Sequence, residues 1–307
     1  MDYEEILMTR ICWYYYFEGL TQQKIAEQLG INRIKVVKLL EKARQNGIIK
    51  FQLSKDSEHR LDTERELMKR YQLQDVFVVP SSATVSVNSL VAEAASMYIN
   101  SRMGENPILN IGYGDTQNKL LNKLAINAEK TITCISLTGG VNFYLPNTQS
   151  NIFNAKLHLL PAPLLTSSKE MAKAIMNESS VMDILRMIQL ADMTVVGIGS
   201  LHEEATILKN GLLNRSDYEY LKMKGAQGDV LCHFFDAEGR LLDTYFEDRL
   251  ISVSLETLKE LKNVIGVAGG KSKVNAIRAA LKGKYINILI TDSNTASLLL
   301  ESEQERG

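Results

Sequence analysis

The chain has 307 residues, 45% hydrophobic and 23% charged, with a net charge of −1. That length and balance fit about two globular domains with real cores, as in an ordinary soluble globular protein. Its three cysteines, Cys12, Cys134 and Cys232, form no CxxC, the N-terminus lacks a secretory signal, and no segment approaches 18 continuous apolar residues, so a cytoplasmic protein without membrane contact, zinc site or disulfides is expected.

Residues 3–18 read as a helix with Leu7, Ile11, Tyr14 and Tyr15 on its buried side. The aromatic run 13–17, WYYYF, is expected to fill core rather than to stack on bases. Residues 20–40, LTQQKIAEQLGINRIKVVKLL, carry a helix-turn-helix pattern. Ile25, Ala26 and Leu29 share one face, Thr21 is placed to cap the first helix, and Gly30 supplies the turn. Asn32 caps the second helix, whose buried side is Val36, Leu39 and Leu40. Its other side carries Arg33, Lys35 and Lys38, cations suited to phosphates and guanine edges in a major groove. Between residues 32 and 50 six basic residues face one acid, so nucleic-acid contact is expected from one module of a near-neutral chain. The expected DNA-contacting set is Thr21, Gln22, Asn32, Arg33, Lys35, Val37, Lys38 and Lys42. Gly47 ends the second helix, and the alternation of Ile49, Phe51 and Leu53 predicts a strand over 48–53, the wing of a winged helix-turn-helix.

The polar stretch 54–62, SKDSEHRLD, is the expected boundary between a DNA-binding domain (1–54) and a second domain (55–307). Residues 63–72 read as a helix. Apolar, β-rich runs follow at 76–79, 108–111, 132–137, 194–198, 264–267 and 286–290, with amphipathic helical stretches such as 90–101 and 274–281 between them. Strands alternating with helices predict an α/β fold, a doubly wound, mostly parallel Rossmann-like sheet.

In such sheets ligands bind outside the carboxyl ends of strands. Three glycine loops fall there: Gly112-Tyr113-Gly114-Asp115-Thr116, Thr138-Gly139-Gly140-Val141-Asn142, and Gly269-Gly270-Lys271-Ser272-Lys273. Glycines, a hydroxyl and amide donors at a helix start suit an anion, and the lysines of the third loop strengthen that reading. Neither GxGxxG nor GxxxxGK[ST] is present, so no nucleotide cofactor is implied. His59, His158, His202 and His233 lack metal-ligand spacing, and no GxSxG elbow occurs. Asp115, Asp229 and Asp236 are candidate bases, or equally acceptors for the hydroxyls of a polyol. The motif pattern therefore points away from an enzyme.

Taken together, YYYFEGLTQQKIAEQLG, KVVKLLEKARQNGII, SLTGGV, LLPAPL, VVGIGS, GDVLCHFFDAEG, VAGGKSKVNAI and KGKYINILITD make the chain resemble the SorC family of sugar-responsive bacterial transcription regulators over nearly its whole length. The resemblance implies a winged helix-turn-helix joined to a domain similar to sugar-phosphate isomerases and deaminases but without their catalysis. By position it implies that the Thr116 loop and Lys273 hold a phosphate, that residues 138–142 with Gln149 line the sugar, and that Asp229 and Asp236 accept its hydroxyls. It also implies operator DNA as a partner, a homotetramer, and a repressor of a carbohydrate or autoinducer-2 uptake operon, with phosphorylated autoinducer-2 a candidate effector. Two features depart from the family. Val37-Lys38-Leu39-Leu40 stands where the recognition helix often reads Ser-Arg-Leu-Leu, and the Asn-rich stretch 143–154 is longer. The operator sequence and the choice among phosphorylated sugars or polyols therefore stay open. The alternative is a sugar-phosphate isomerase or deaminase carrying a DNA-binding appendage.

Overall fold

The structure, a computed structural model, describes residues 3–50, 54–127, 130–140, 155–202, 205–209 and 211–301. It divides into two compact units, residues 1–58 and 59–307.

The first unit holds α1 (Tyr3–Tyr16), α2 (Gln22–Leu29) and α3 (Arg33–Gln45). Local chemistry sets the helix-turn-helix. The Thr21 hydroxyl accepts the Lys24 N–H at 3.3 Å, and the Asn32 side chain accepts the Lys35 N–H at 2.7 Å. Each bond satisfies an amide that the first helical turn leaves without an internal partner. Between the helices Gly30 takes φ 62, ψ 33, the left-handed geometry a residue without Cβ adopts at no steric cost. Ile25, Ala26, Val36, Leu39, Leu40 and Ala43 pack with Met8, Ile11 and Cys12 of α1, and Leu7, Tyr14 and Tyr15 lie half-buried against them.

One expectation fails here. Trp13 and Phe17 are 55% and 73% exposed, not core, because at 100° per residue they lie on the side of α1 opposite Met8, Ile11 and Cys12. No strand forms over residues 48–50, and the remaining wing positions, Phe51 and Leu53, lie outside the described residues.

Residues 54–62, the expected domain boundary, are largely helical, since α4 runs Lys55–Tyr71, and the two units divide at 58/59 within that stretch. Helix α4 as a whole has no Gly or Pro and is rich in Lys, Glu, Arg and Leu, so polarity at its start marks a solvated helix rather than a loop. The second unit then follows with β1 (Asp75–Val79), α5 (Val87–Asn100), β2 (Ile108–Ile111), α6 (Asp115–Asn127), β3 (Ile132–Ser136), β4 (Ala155–His158), α7 (Lys169–Met176), α8 (Ser179–Ile188) and β5 (Met193–Gly197). After it come β6 (Gly199–Ser200), α9 (Thr206–Lys209), α10 (Arg215–Met223), β7 (Gly228–Val230), β8 (His233–Phe235), α11 (Leu255–Glu260), β9 (Val264–Val267), α12 (Val274–Lys282), β10 (Ile288–Asp292) and α13 (Ser293–Leu300).

Among the described residues seven strands form one sheet in the order β1-β10-β9-β5-β2-β3-β4, every pairing parallel. Helices α5 and α6 cover one face, with Val91, Ala95, Leu120 and Leu124 on Leu109, Ile111, Val195 and Ile265. The other face packs Ile188, Leu258, Ala280 and Leu299 against Val196, Val264 and Leu289. Strands buried on both faces explain the continuous apolar runs of the sequence. The chain leaves β2 toward β3 on one side, whereas β5 lies on its other side. The order therefore reverses between β2 and β5, the switch point at which such sheets open a crevice. The edge strand β4 and the antiparallel sheet β6-β7-β8 were not expected; both are short, and β4 carries alternating Lys156 and His158 rather than an apolar run.

Candidate functional site

A cavity opens at that switch point. It is lined by Tyr113 to Gln117 after β2, by Gly197 to Ser200 and His202 after β5, by Asp229 and Leu231 of the small sheet, and by Lys273 and Asn88. Three strand ends thus meet at one place. Gly114 takes φ 131 immediately before α6, turning the first amides of that helix toward the cavity end of the sheet. Thr116 and Gln117 in its first turn are 4% and 1% exposed. Among the described residues Gln117 has no hydrogen-bond partner for either its amide nitrogen or its amide oxygen, and the buried Ser200 hydroxyl also has none. Unsatisfied buried polar atoms are costly, and those lining a cavity mark where a polar ligand supplies the missing bonds.

Charge is arranged in layers. Asp115 receives Lys119 one turn along α6 and the Asn88 side-chain amide at 2.8 Å. Burial favours its neutral form, but these bonds outweigh burial and hold its carboxyl below the usual range. Asp229 differs: burial pushes it up to about 6 against the opposing pull of the Cys232 N–H at 3.2 Å, Lys273 and His233. Burial likewise pushes Lys273 down, with Asp229 and Asp115 acting in the other direction. A desolvated ammonium beside a desolvated carboxyl is poised for a ligand bearing both an anionic and a hydroxyl group. Gly199 makes this possible, since a Cβ there would lie 2.0 Å from an Asp229 carboxylate oxygen.

Of the residues singled out in the sequence, Gly114, Asp115, Thr116, Asp229 and Lys273 line this cavity. Others do not. Gly112 sits below it, where a Cβ would meet Leu231 at 2.9 Å. Thr138 bridges to Ser252, and the Gly139 and Gly140 amides are spent on the Ile251 and Ala162 carbonyls, each at 2.9 Å. Gly269 and Gly270 shape the loop before Lys273: the Gly270 N–H bonds Asp292 at 3.1 Å and Thr295 at 2.7 Å. Lys271 is exposed and absent from the lining. Asp236 is corrected most clearly. Its carboxylate accepts the Glu238 and Arg240 N–H groups, each at 2.9 Å, and the Arg240 guanidinium, closing a turn away from the cavity. Asn142 and Gln149 lie outside the described residues. His233 is held between Glu247 at 2.8 Å and the Val253 carbonyl at 3.0 Å, a structural role. Sequence reading missed Asn88, Gln117, Ser200 and His202. The VVGIGS run, a fourth strand end with two glycines, was the available signal for Ser200.

On the first unit, α3 presents Arg33, Lys35 and Lys38 as exposed side chains. Between them stand Ile34 and Val37, 68% and 40% exposed. Ile34 was not singled out in the sequence. Thr21 and Asn32 act as caps, and Lys42 is drawn to Glu4 of α1 at 2.9 Å. Gln22, Gln23 and Arg33 share a shallow depression with Tyr15 and Gly19.

Among the described residues no helix is long and apolar enough to cross a membrane. The family model described as "Putative sugar-binding domain" matches residues 55–301. The chain is 37% identical over 301 residues to the transcriptional regulator LsrR of Enterobacter sp. (strain 638), covering 97% of this chain and 93% of that one. It is 38% identical over 303 residues to LsrR of Escherichia coli O139:H28 (strain E24377A / ETEC), covering 97% and 96%. Its structure matches that of the full-length sorbitol operon regulator SorC from Klebsiella pneumoniae with a TM-score of 0.69 at 25% identity, over 98% of this chain and 100% of that one. A helix-turn-helix unit followed by a parallel α/β unit with a polar cavity at its switch point, in a chain with these relatives, belongs to the SorC family of sugar-responsive transcriptional regulators.

Proposed function

We propose that the chain is a DNA-binding regulator, acting as a repressor of a carbohydrate or autoinducer-2 uptake operon, and that a small phosphorylated sugar or polyol in the switch-point cavity controls it. The single observation carrying this reading is the cavity itself. An ammonium (Lys273), the start of α6 and the unsatisfied Gln117 and Ser200 converge where a phosphate and its hydroxyls would sit. Lys273 and the first amides of α6 take the phosphate, and Asp229 accepts a hydroxyl. The sugar-binding family model and the similarity to the sorbitol operon regulator support a carbohydrate signal, and phosphorylated autoinducer-2 is one candidate. Operator DNA meets α3, with Arg33, Lys35 and Lys38 on phosphates and base edges, Gln22 on the backbone near α2, and Thr21 and Asn32 positioning the two helices. This work is cytoplasmic and uses the cavity for binding rather than turnover.

A thermal-shift panel of free and phosphorylated sugars, phosphorylated autoinducer-2 included, tests it. A ligand that binds only the folded chain raises the melting temperature by mass action, by about 2.7 kcal/mol of stability at a hundredfold excess over Kd. At least one phosphorylated compound is expected to raise the transition while its unphosphorylated form does not, and Lys273→Ala should remove most of that shift. An undiminished shift in K273A sinks the phosphate assignment. Asp229, with a value about 6, could also serve as a general base; turnover of ribose-5-phosphate or glucosamine-6-phosphate by the purified chain would favour that enzyme reading instead.

A further inference from the structure

Helix α13 is anchored at both ends. At its start stands Asp292, the last residue of β10 and 2% exposed. One of its carboxylate oxygens accepts the Asn294 and Thr295 N–H groups, each at 3.1 Å, and the Ser81 hydroxyl at 2.8 Å. The other accepts the Thr295 hydroxyl and, at 3.1 Å, the Gly270 N–H, inside the loop that ends in Lys273. A Cβ on Gly269 would lie 2.5 Å from that second oxygen, so the approach requires glycine. The far end of a helix leaves its last carbonyls without internal partners. Here the Leu298 carbonyl accepts the Arg278 guanidinium at 2.9 Å, the Leu299 carbonyl the Tyr71 hydroxyl at 3.2 Å, and the Leu300 carbonyl the Arg70 guanidinium at 2.6 Å. Arg278 lies on α12, the helix that Lys273 opens, and Arg70 and Tyr71 close α4.

We propose that Asp292 is the positioning residue for the Lys273 loop, and that α13 carries the position of that loop to α4, the helix leading out of the DNA-binding unit. Residues 55–58 of α4 belong to the first unit, and the helix is continuous from there to Tyr71. A helix of eight residues is about 12 Å long and moves as one body. If the loop shifts with Lys273, the Gly270 N–H draws on Asp292, and α13 follows by dragging Arg70 and Tyr71 or by breaking their bonds. Dragging costs less, because a carboxylate at the N-terminus and guanidinium groups at the C-terminus make the stronger, charge-assisted bonds and both match the helix dipole. A second tie runs parallel to the first: Glu64 of α4 accepts the Val78 N–H of β1 at 2.8 Å, and the next residue of that strand, Val79, pairs with Asp292. That Lys273 holds the effector rests on the function proposed above; the strut between the loop and α4 does not.

The test uses the full chain without ligand. Amide hydrogen exchange read by mass spectrometry reports local opening segment by segment. R70A/Y71F removes two anchors at the α4 end. It should speed exchange about fivefold, the worth of roughly one hydrogen bond, in residues 293–300 and also in 268–274 at the other end of α13. D292N should act in the reverse direction and speed exchange in residues 66–71. R70K, which keeps a cation for the Leu300 carbonyl, should leave 268–274 near the native rate. Residues 120–125 of α6 are the reference and should not change. Acceleration by R70A/Y71F that stops at α4 and α13 overturns the proposal. So does equal acceleration at 120–125, because the variant then loosens the whole unit. Should D292N lose its native circular dichroism, R70A/Y71F decides alone. A chain that answers to no phosphorylated sugar would remove the proposed function and leave these exchange results standing.

Discussion

Asp229 shows how one residue ties stability to function. Its folded value is raised to about 6 from 3.8, so the folded chain holds a proton that the unfolded chain has already released between those values. The stability of the protonated carboxyl is therefore complete below about pH 4 and is lost as pH rises through about 6. Asp229→Asn, which keeps an acceptor for the Cys232 N–H, should leave stability nearly unchanged near pH 4 and raise it near pH 7.5. A shift of about two units sets an upper bound of roughly 3 kcal/mol. Urea denaturation at the two pH values checks this; an equal effect at both would show that burial does not govern the group. The same variant should weaken the effector response, because an amide is a poorer acceptor than a carboxylate for a sugar hydroxyl.

At the scale of elements, α3 shows where pattern reading stops. Its buried side and cap were legible as Val36, Leu39, Leu40 and Asn32, since helical period and cap chemistry are local. Its exposed apolar pair was legible only in part: Val37 falls in the expected DNA-contacting set and Ile34 does not. Apolar side chains on a groove-facing surface suit thymine methyl groups. Ile34→Ala should weaken operator binding about fourfold for each thymine methyl that Ile34 covers, by the ~0.8 kcal/mol of one buried methyl. Replacing operator thymines by uracil should reproduce that weakening in the native chain and add little in I34A. Additive effects in gel-shift titrations would place Ile34 away from the bases. The misreading of Trp13 and Phe17 has a definite cause. Composition reports polarity or bulk, whereas the direction of a residue on its helix decides what it meets.

Across the whole molecule, regulation requires that the cavity and the head be coupled, and coupling is reciprocal. If effector lowers operator affinity by some factor, saturating operator DNA should lower effector affinity by the same factor. Calorimetry of the effector with and without operator measures it, and equal affinity in both would separate the two sites. The strand–helix alternation, the parallel sheet and the glycine-rich strand ends were legible in the sequence because each rests on short-range periodicity. Which strand ends converge was not. Residues 113–117, 197–200, 229 and 273 are far apart in the chain, and only the strand order that puts β5 beside β2 brings them to one cavity. The sequence by itself determined a helix-turn-helix head, an α/β second unit and a set of candidate loops. Tertiary structure alone decided which loops share a site, that Asp236 serves a turn while Asp229 faces Lys273, and which side of α1 stays open, because long-range packing, not local pattern, sets which groups lose water together.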